Sequence, residues 1–365
     1  MRVRLEDVCE KESSKLKQSD VIDQNGLYPV YGASGYLGSI NTYQQSNYYV
    51  AVVKDGAGIG RTMLLPPKSS IIGTMQYLIP KDNVQPEYLY YVVKAKHLEK
   101  YFSGATIPHI YFKDYKNEQF DLVSFEKQRD IINRLKKIEI IIDSLSKILV
   151  LLDELVRARF VEMFGDPVDN PMNWKKKKLK DIVTEDCTIS YGIVQTGEEQ
   201  KEGIPVFRPV DIVNHTPKVE ELKKTTEFIS DRYKKTLLKG HELLITVRAN
   251  IADTFIADKE FMGCNVGRGI VPIRTQEDIM RLEFLKCLID NKHLNDILKS
   301  KAKGITLIQL NMEDLRNVEL IIPPIDLQID YLKYSRLIDK SRSRIQKSLE
   351  ASQELFDSLM QEYFG

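Results

Sequence analysis

The residues best suited to chemistry in this chain are polar and cationic side chains set among glycines and aromatics. DGAGIGR at 55–61 has the glycine content of a phosphate cradle. It lacks the Lys-Ser/Thr pair of a P-loop, and the RTMLLPP that follows reads as a strand, not a helix. The plain reading is a tight hairpin. The functional one is a hairpin bare enough for backbone N–H groups and Arg61 to reach a nucleic-acid backbone. Arg208, Arg248 and Arg268 each fall beside an expected strand end, with Asn250 two residues past Arg248. Arginine pairs with guanine, and Asn or Gln with adenine; solvated strand-edge charge is the alternative. YPVYGASGYLG at 28–38 and YGIVQTG at 191–197 place aromatics and short polar groups in expected loops, where turn packing competes with reading of base edges. The candidate DNA contacts are therefore Tyr31, Ser34, Tyr36, Lys54, Arg61, Gln76 and His109 in the first half. In the second they are Tyr191, Gln195, Arg208, Arg248, Asn250, Arg268, Lys303 and Gln309.

No catalytic set accompanies them. GxSxG, HExxH and Walker patterns are absent from the sequence. The histidines His97, His109, His215, His241 and His293 are scattered, and His97 and His293 occupy matching helix sites, which suggests a structural role. Cys9, Cys187, Cys264 and Cys287 form no CxxC pair and read as buried free thiols, so no metal site is expected. Lys and Arg number 53 against 52 Asp and Glu, a net charge of +1. A DNA surface must then be a local patch, or a partner must supply part of the positive charge. The run KKKK at 175–178 reads as a solvated linker near phosphates. No apolar stretch is long enough to span a membrane and the N-terminus has no signal-peptide core, so a cytoplasmic location is expected.

The elements that must position these residues are written twice. Residues 126–165 and 326–365 align without a gap at an offset of 200, with ten identities that include Gln128/Gln328, Phe164/Phe364 and Gly165/Gly365. Upstream, LEDV at 5–8 answers LKDI at 179–182, and EYLYYVVKAKHL at 87–98 answers EFLKCLIDNKHL at 283–294. Gly104-Ala105-Thr106 answers Gly304-Ile305-Thr306. The order is module, helix, module, helix, and the extra residues of the second module lie before Glu283. Ile131, Leu135, Ile138, Ile142, Leu145, Leu149, Leu152 and Val156 repeat every 3.5 residues, a coiled-coil seam. The second helix keeps the register with Ser335, Arg342 and Ser352 in it. Two such stripes can satisfy each other. Pro323-Pro324 sets where the second helix begins, and Gly165 with Asp166-Pro167 ends the first.

Each module reads as mixed α/β. Strands are expected in YYVAVV at 48–53, MQYLIP at 75–80, HELLITVRA at 241–249 and GIVPIR at 269–274. A short amphipathic helix is expected near 86–101 and near 278–299. The fold class is α+β, with domains at 1–125 and 166–325 and connecting helices at 126–165 and 326–365.

YPVYGASG and DGAGIGR in the first half, with YGIVQTG, IPVFRPVDI and GITLIQLNMEDLRNVELIIPPIDLQ in the second, resemble the specificity subunit of a Type I restriction-modification system. The resemblance spans the chain and is carried by the order and duplication of the motifs. It implies two target-recognition domains separated by two long antiparallel coiled-coil helices, with an internal pseudo-twofold repeat. It also implies a non-catalytic subunit on double-stranded DNA with two modification subunits and two restriction subunits. S-adenosylmethionine, ATP and Mg would belong to those partners. The junction FDLVSFEKQ at 120–128 departs from the pattern, because it lacks the proline pair. Two other readings stay open from sequence: a protein-binding scaffold with this architecture, and the recognition part of a fused methyltransferase.

Overall fold

The computed structural model describes every residue except 23, 105–107, 213–216 and 305–307. Ala105, Thr106, Ile305 and Thr306 of the repeated segment, and His215, thus lie outside the described residues. The chain forms two compact units, one made of Met1–Leu149 and Arg344–Gly365, the other of Val150–Ser343. Each combines a mixed α/β module with parts of two 40-residue helices, Phe125–Phe164 and Ile325–Phe364. The architecture is the α+β class expected.

The first unit holds β1 (Arg2–Arg4), β2 (Cys9–Ser13), β3 (Tyr28–Gly32), β4 (Gly35–Ile40), β5 (Tyr49–Val53), β6 (Thr62–Leu65), β7 (Ser70–Ile71), β8 (Met75–Pro80) and β9 (Gln119–Asp121). Its main sheet runs β2-β8-β5-β6, a second β4-β3-β7, and β1 pairs with β9. β5 is apolar throughout because both of its faces are covered. Val50 and Val52 pack toward the helix Pro86–Ala95, and Tyr49, Ala51 and Val53 pack with Leu65, Met75 and Tyr77. YPVYGASGYLG, expected as a loop, is the hairpin β3–β4, whose turn is flanked by Gly32 and Gly35 and whose register shifts between Val30 and Tyr31.

The second unit repeats this plan with β10 (Lys176–Lys178), β11 (Ile204–Phe207), β12 (Lys223–Thr225), β13 (Glu242–Thr246), β14 (Thr254–Ala257), β15 (Asn265–Val266), β16 (Ile270–Ile273) and β17 (Glu319–Ile321). Sheet β14-β13-β16 answers β6-β5-β8, β12-β11-β15 answers β4-β3-β7, and β10–β17 answers β1–β9. The counterpart of β2–β8 shrinks to one bridge, Val183 to Thr275. The helical segments Pro209–Ile212 and Glu227–Asp231 lie in the two connections, β11 to β12 and β12 to β13, that lengthen the second module. The lysine run is not a linker: Lys176–Lys178 is β10, whose exposed side chains leave the main chain to pair with Glu319–Ile321. Each expected amphipathic helix is broken in two. Pro86–Ala95 ends before His97, whose φ is 48°, and Leu282–Asp290 gives way to Lys292–Ser300 at Asn291, whose side chain caps the new helix.

All eight seam positions of each long helix are buried or half-buried, whereas Ile140, Ile141, Val150, Leu151 and Leu155 between them are exposed. In the first unit Ile132, Leu135 and Ile138 share a core with Phe356, Met360 and Phe364; in the second Phe160 and Phe164 pack on Tyr331. The start of one helix lies with the end of the other, so the helices pair antiparallel. The polar seam residue Arg342 ion-pairs with Asp153 of the facing helix.

The repeated identities have repeated functions. Gln128 is fully buried; its Oε1 accepts from the Gln85 N–H at 2.9 Å, and its Nε2 donates to the carbonyls of Asn83 and Val123. Gln328 does the same with the Arg281 N–H at 3.0 Å and the carbonyls of Ile279 and Pro323. One amide thus satisfies the unpaired N-terminus of a module helix and fastens the long helix beside it. At the other ends, the Phe364 carbonyl accepts from Lys96 Nζ at 2.5 Å and the Phe164 carbonyl from Trp174 Nε1 at 3.0 Å. Gly165 is required where the first helix stops. Its φ is 72°, and a Cβ there would meet Pro171 at 2.5 Å. Without the proline pair, the first helix still starts at the position equivalent to the second. The Gln128 N–H donates to the Ser124 carbonyl as the Gln328 N–H does to Pro324.

Candidate nucleic-acid interface

In each unit the candidate surface is built where a strand end meets a return loop. In the first, the chain leaves β5 through residues 54–61, a hairpin turn into β6 with Gly56, Gly58 and Gly60 at positive φ. The return loop lies against it: the Ile110 N–H donates to the Lys54 carbonyl at 2.9 Å and the Gly56 N–H to Pro108 at 3.0 Å. The loop is closed by reciprocal main-chain bonds between Ser103 and His109, both 2.8 Å. In the second unit the Leu310 N–H donates to the Val247 carbonyl at 2.9 Å, and Lys303 and Gln309 bond reciprocally at 2.9 Å. Lys54 therefore matches Val247, Asp55 matches Arg248, Ser103 matches Lys303, and His109 matches Gln309.

The side chains at these matched points differ in kind. Asp55 Oδ1 lies 2.7 Å from His109 Nδ1, and its other oxygen takes Lys54. A carboxylate only accepts, so Nδ1 carries the proton and Nε2 is the ring atom left for a ligand. In the second unit Arg248 Nε donates to Gln309 Oε1 at 2.6 Å, and Gln309 Nε2 donates to the Tyr191 hydroxyl.

The remaining candidates fall around these two points or away from them. Arg61 Nη1 donates to the Ala33 carbonyl at 2.9 Å, joining the glycine hairpin to the β3–β4 turn beside Ser34. Tyr31 and Tyr36 meet edge-on at 6.2 Å; burial, then Tyr36, pushes the Tyr31 hydroxyl upward, so it remains a neutral donor. Tyr31, Ser34, Tyr36, Lys54, Arg61 and His109 are thus linked into one surface. Gln76 does not join them: it is 5% exposed, and its amide bonds to the Glu12 carbonyl inside the β2–β8 pair. In the second unit Tyr191, Arg248, Lys303 and Gln309 are brought together. Exposed Arg268 adjoins them, since its N–H donates to Ile193 and a Cβ on Gly269 would touch Arg248. Asn250 is exposed in the β13–β14 turn, and Gln195 is exposed in its loop. Arg208 is bidentate on Asp211, at 3.0 and 2.6 Å, and that hydrogen-bonded pairing raises its pKa. Its charge is already neutralised within the module.

Asp55 is the participant that sequence reasoning passed over, because it lay inside the glycine cluster. The signal was positional: Asp55 and Arg248 each stand two residues past a buried central strand. Burial pushes the Cys9 thiol up to about 12 and the Cys264 thiol up to about 11, which disfavours the thiolate at both. His293 Nδ1 lies 3.1 Å from Asp166 Oδ1, tying the helix Lys292–Ser300 to the end of the first long helix.

The chain matches the family described as Type I restriction modification DNA specificity domain over residues 1–153 and again over 171–351. It is 25% identical over 163 residues to the Type I restriction enzyme EcoBI specificity subunit of Escherichia coli, a match covering 45% of this chain and only 34% of that protein. It is 26% identical over 320 residues to the MjaIX specificity subunit of Methanocaldococcus jannaschii, covering 78% of this chain and 69% of that one. In fold it is similar to the S subunit of a Type I restriction-modification system from M. genitalium, with TM-score 0.65, 14% identity, and 100% and 96% of the two chains covered. A chain from a structure described as complex assembly and conformational transition of the type I R-M system gives TM-score 0.60, 16% identity, and 100% and 97% coverage. No helix among the described residues is long and apolar enough to cross a membrane.

Proposed function

Since the chain belongs to the Type I restriction modification DNA specificity family, we propose that it reads a bipartite, asymmetric DNA target, one half-site per module. The observation that carries this reading is the duplication: one frame of strands, short helix and long helix occurs twice, with different side chains at its matched loops. Different tips on equivalent frames read different half-sites. The long helices act as the spacer. Forty residues at about 1.5 Å each extend about 60 Å, well over one turn of duplex. Exposed apolar side chains on the first helix, Ile140 and Ile141 in one unit and Leu151 and Leu155 in the other, offer docking ground for modification subunits. S-adenosylmethionine sits on those modification subunits, and ATP and Mg on restriction subunits; this chain itself is non-catalytic and works in the cytoplasm. With a net charge of +1, the isolated chain binds DNA weakly and gains affinity with its modification partner.

The test is methylome sequencing of cells carrying the chain and a modification partner, with gel-shift titration of the chain alone and in complex. A split motif with a fixed gap is expected. Absence of sequence selectivity in the complex would leave the protein-binding scaffold as the better reading, and methylation by the purified chain alone would point to a fused methyltransferase.

A further inference from the structure

We infer that Arg248 reads a guanine in the half-site of the second module, with Gln309 as its positioning residue. The inference rests on the DNA-reading function proposed above. Arg248 is half-buried, and its Nε is spent on Gln309 Oε1 at 2.6 Å. Gln309 cannot turn its amide over, because Nε2 would then face the Arg248 Nε–H donor against donor, and in the orientation it keeps Nε2 donates to the Tyr191 hydroxyl. The guanidinium plane is thereby fixed, and its two terminal nitrogens have no hydrogen-bond partner among the described residues. Two parallel N–H donors in a fixed plane match the O6 and N7 acceptors that guanine shows in the major groove.

A phosphate is the competing acceptor, since it also takes the arginine fork. The first unit decides between them. Its residue at the matched position is Asp55, a carboxylate held by Lys54 and His109 that has no donor to offer a phosphate. A position whose charge is reversed between two copies of one frame faces base edges, whose donor and acceptor pattern varies, and not the uniformly anionic backbone. Backbone contact is left to exposed cations nearby, Arg268 and Lys303. Directly after Arg248, Ala249 is held at φ 62°. Left-handed backbone at a non-glycine residue persists only where the surroundings over-determine it, as they must if the neighbouring arginine is to be aimed.

The experiment uses the chain in complex with its modification subunits. The methylation motif is read for the wild type and for Arg248→Lys, Arg248→Ala and Gln309→Ala. DNA bound by each purified complex from a random library is sequenced in parallel, so that a variant inactive in cells still reports its preference. Both Arg248 variants are expected to lose discrimination at one G·C position of one half-site, on the order of tenfold or more, with every other position unchanged. Gln309→Ala should relax the same position to a lesser degree, an effect that loss of stability alone would not localise. An unchanged motif in Arg248→Ala would overturn the inference. So would uniform weakening on all sequences that Arg248→Lys restores, or a second half-site containing no G·C pair. If the wild-type complex itself shows no sequence preference, the fault lies with the function proposed above and not with Arg248.

Discussion

At the crossing of strand end and return loop, one unit carries Asp55 and His109 where the other carries Arg248 and Gln309. Away from the tips, the two units meet the same needs at matching positions: a buried Gln128 or Gln328 on a helix N-terminus, and a Phe364 or Phe164 carbonyl capped at a helix end, by Lys96 in one and Trp174 in the other. The loops are held by main-chain hydrogen bonds, which any residue supplies. Side chains at their tips are therefore free to differ without cost to the frame, whereas the buried glutamines are not. Variation is confined to where the architecture does not depend on it.

The strongest test of that division is an exchange of residues 1–124 for the first module of another specificity subunit, keeping Gln85, Tyr88, Tyr91 and Lys96, which hold the long helices. One half-site should be replaced entirely and the other left as it was. A methylome in which both change would break the independence of the two modules.

Lengthening the frame while leaving the tips alone should move the half-sites apart. A heptad inserted near Lys147 and another near Lys347 keeps the 3.5-residue seam in phase and the antiparallel helices matched. The insertion adds roughly 10 Å, or about three base pairs, with reduced activity because the modules also turn about the duplex. An active variant whose motif keeps its gap would show that the helices do not set the spacing.

Gln128→Leu and Gln328→Leu test whether the frames are equal. Each strands one buried N–H and two carbonyls. Each should therefore lower stability by about 3 kcal/mol or more, read from denaturant midpoints. A large loss in one unit and none in the other would mean that the match is only of shape.

The smallest effect should come from the seam. Arg342→Leu gives the second helix the apolar residue that the first has at Ile142, and it removes two exposed ion pairs, one with Asp153 of the facing helix and one with Asp339. A gain of about 1 kcal/mol is expected and should appear as a raised Tm. A fall would show that the Asp153 pair sets the register.

The long helices were legible in the sequence because a 3.5-residue seam over forty positions is a long-range pattern written locally. The strands around YYVAVV and HELLITVRA were legible for the same reason, as apolar runs too short for helices. Three features were not. Lys176–Lys178 becomes a strand by pairing with Glu319–Ile321, and lysine composition gives no sign of it. The hairpin in YPVYGASGYLG was hidden because its turn is only Ala33-Ser34: Gly32 and Gly35 flank it, and the flanking segments that read as loop pair as strands. The equivalence of Asp55 with Arg248 was hidden because the hairpins are offset by 193 residues and the return loops by 200; only the bonds from Ile110 and Leu310 align them. The Gln128/Gln328 identity was visible from the start. Its purpose was not, since its partners are main-chain atoms that sequence cannot distinguish.

The division of the chain into units also fixes an order of events during synthesis. The unit Val150–Ser343 is one continuous segment and has all its residues before Arg344–Gly365 of the other unit is made. The unit that contains Met1–Leu149 lacks Phe356, Met360 and Phe364 of its core until residues 344–365 have been made. The module made first on the ribosome is therefore the one completed last. Until then, Ile132, Leu135 and Ile138 stand as an uncovered apolar edge on the nascent chain, a surface on which a chaperone or a partner subunit could act before the protein has closed on itself.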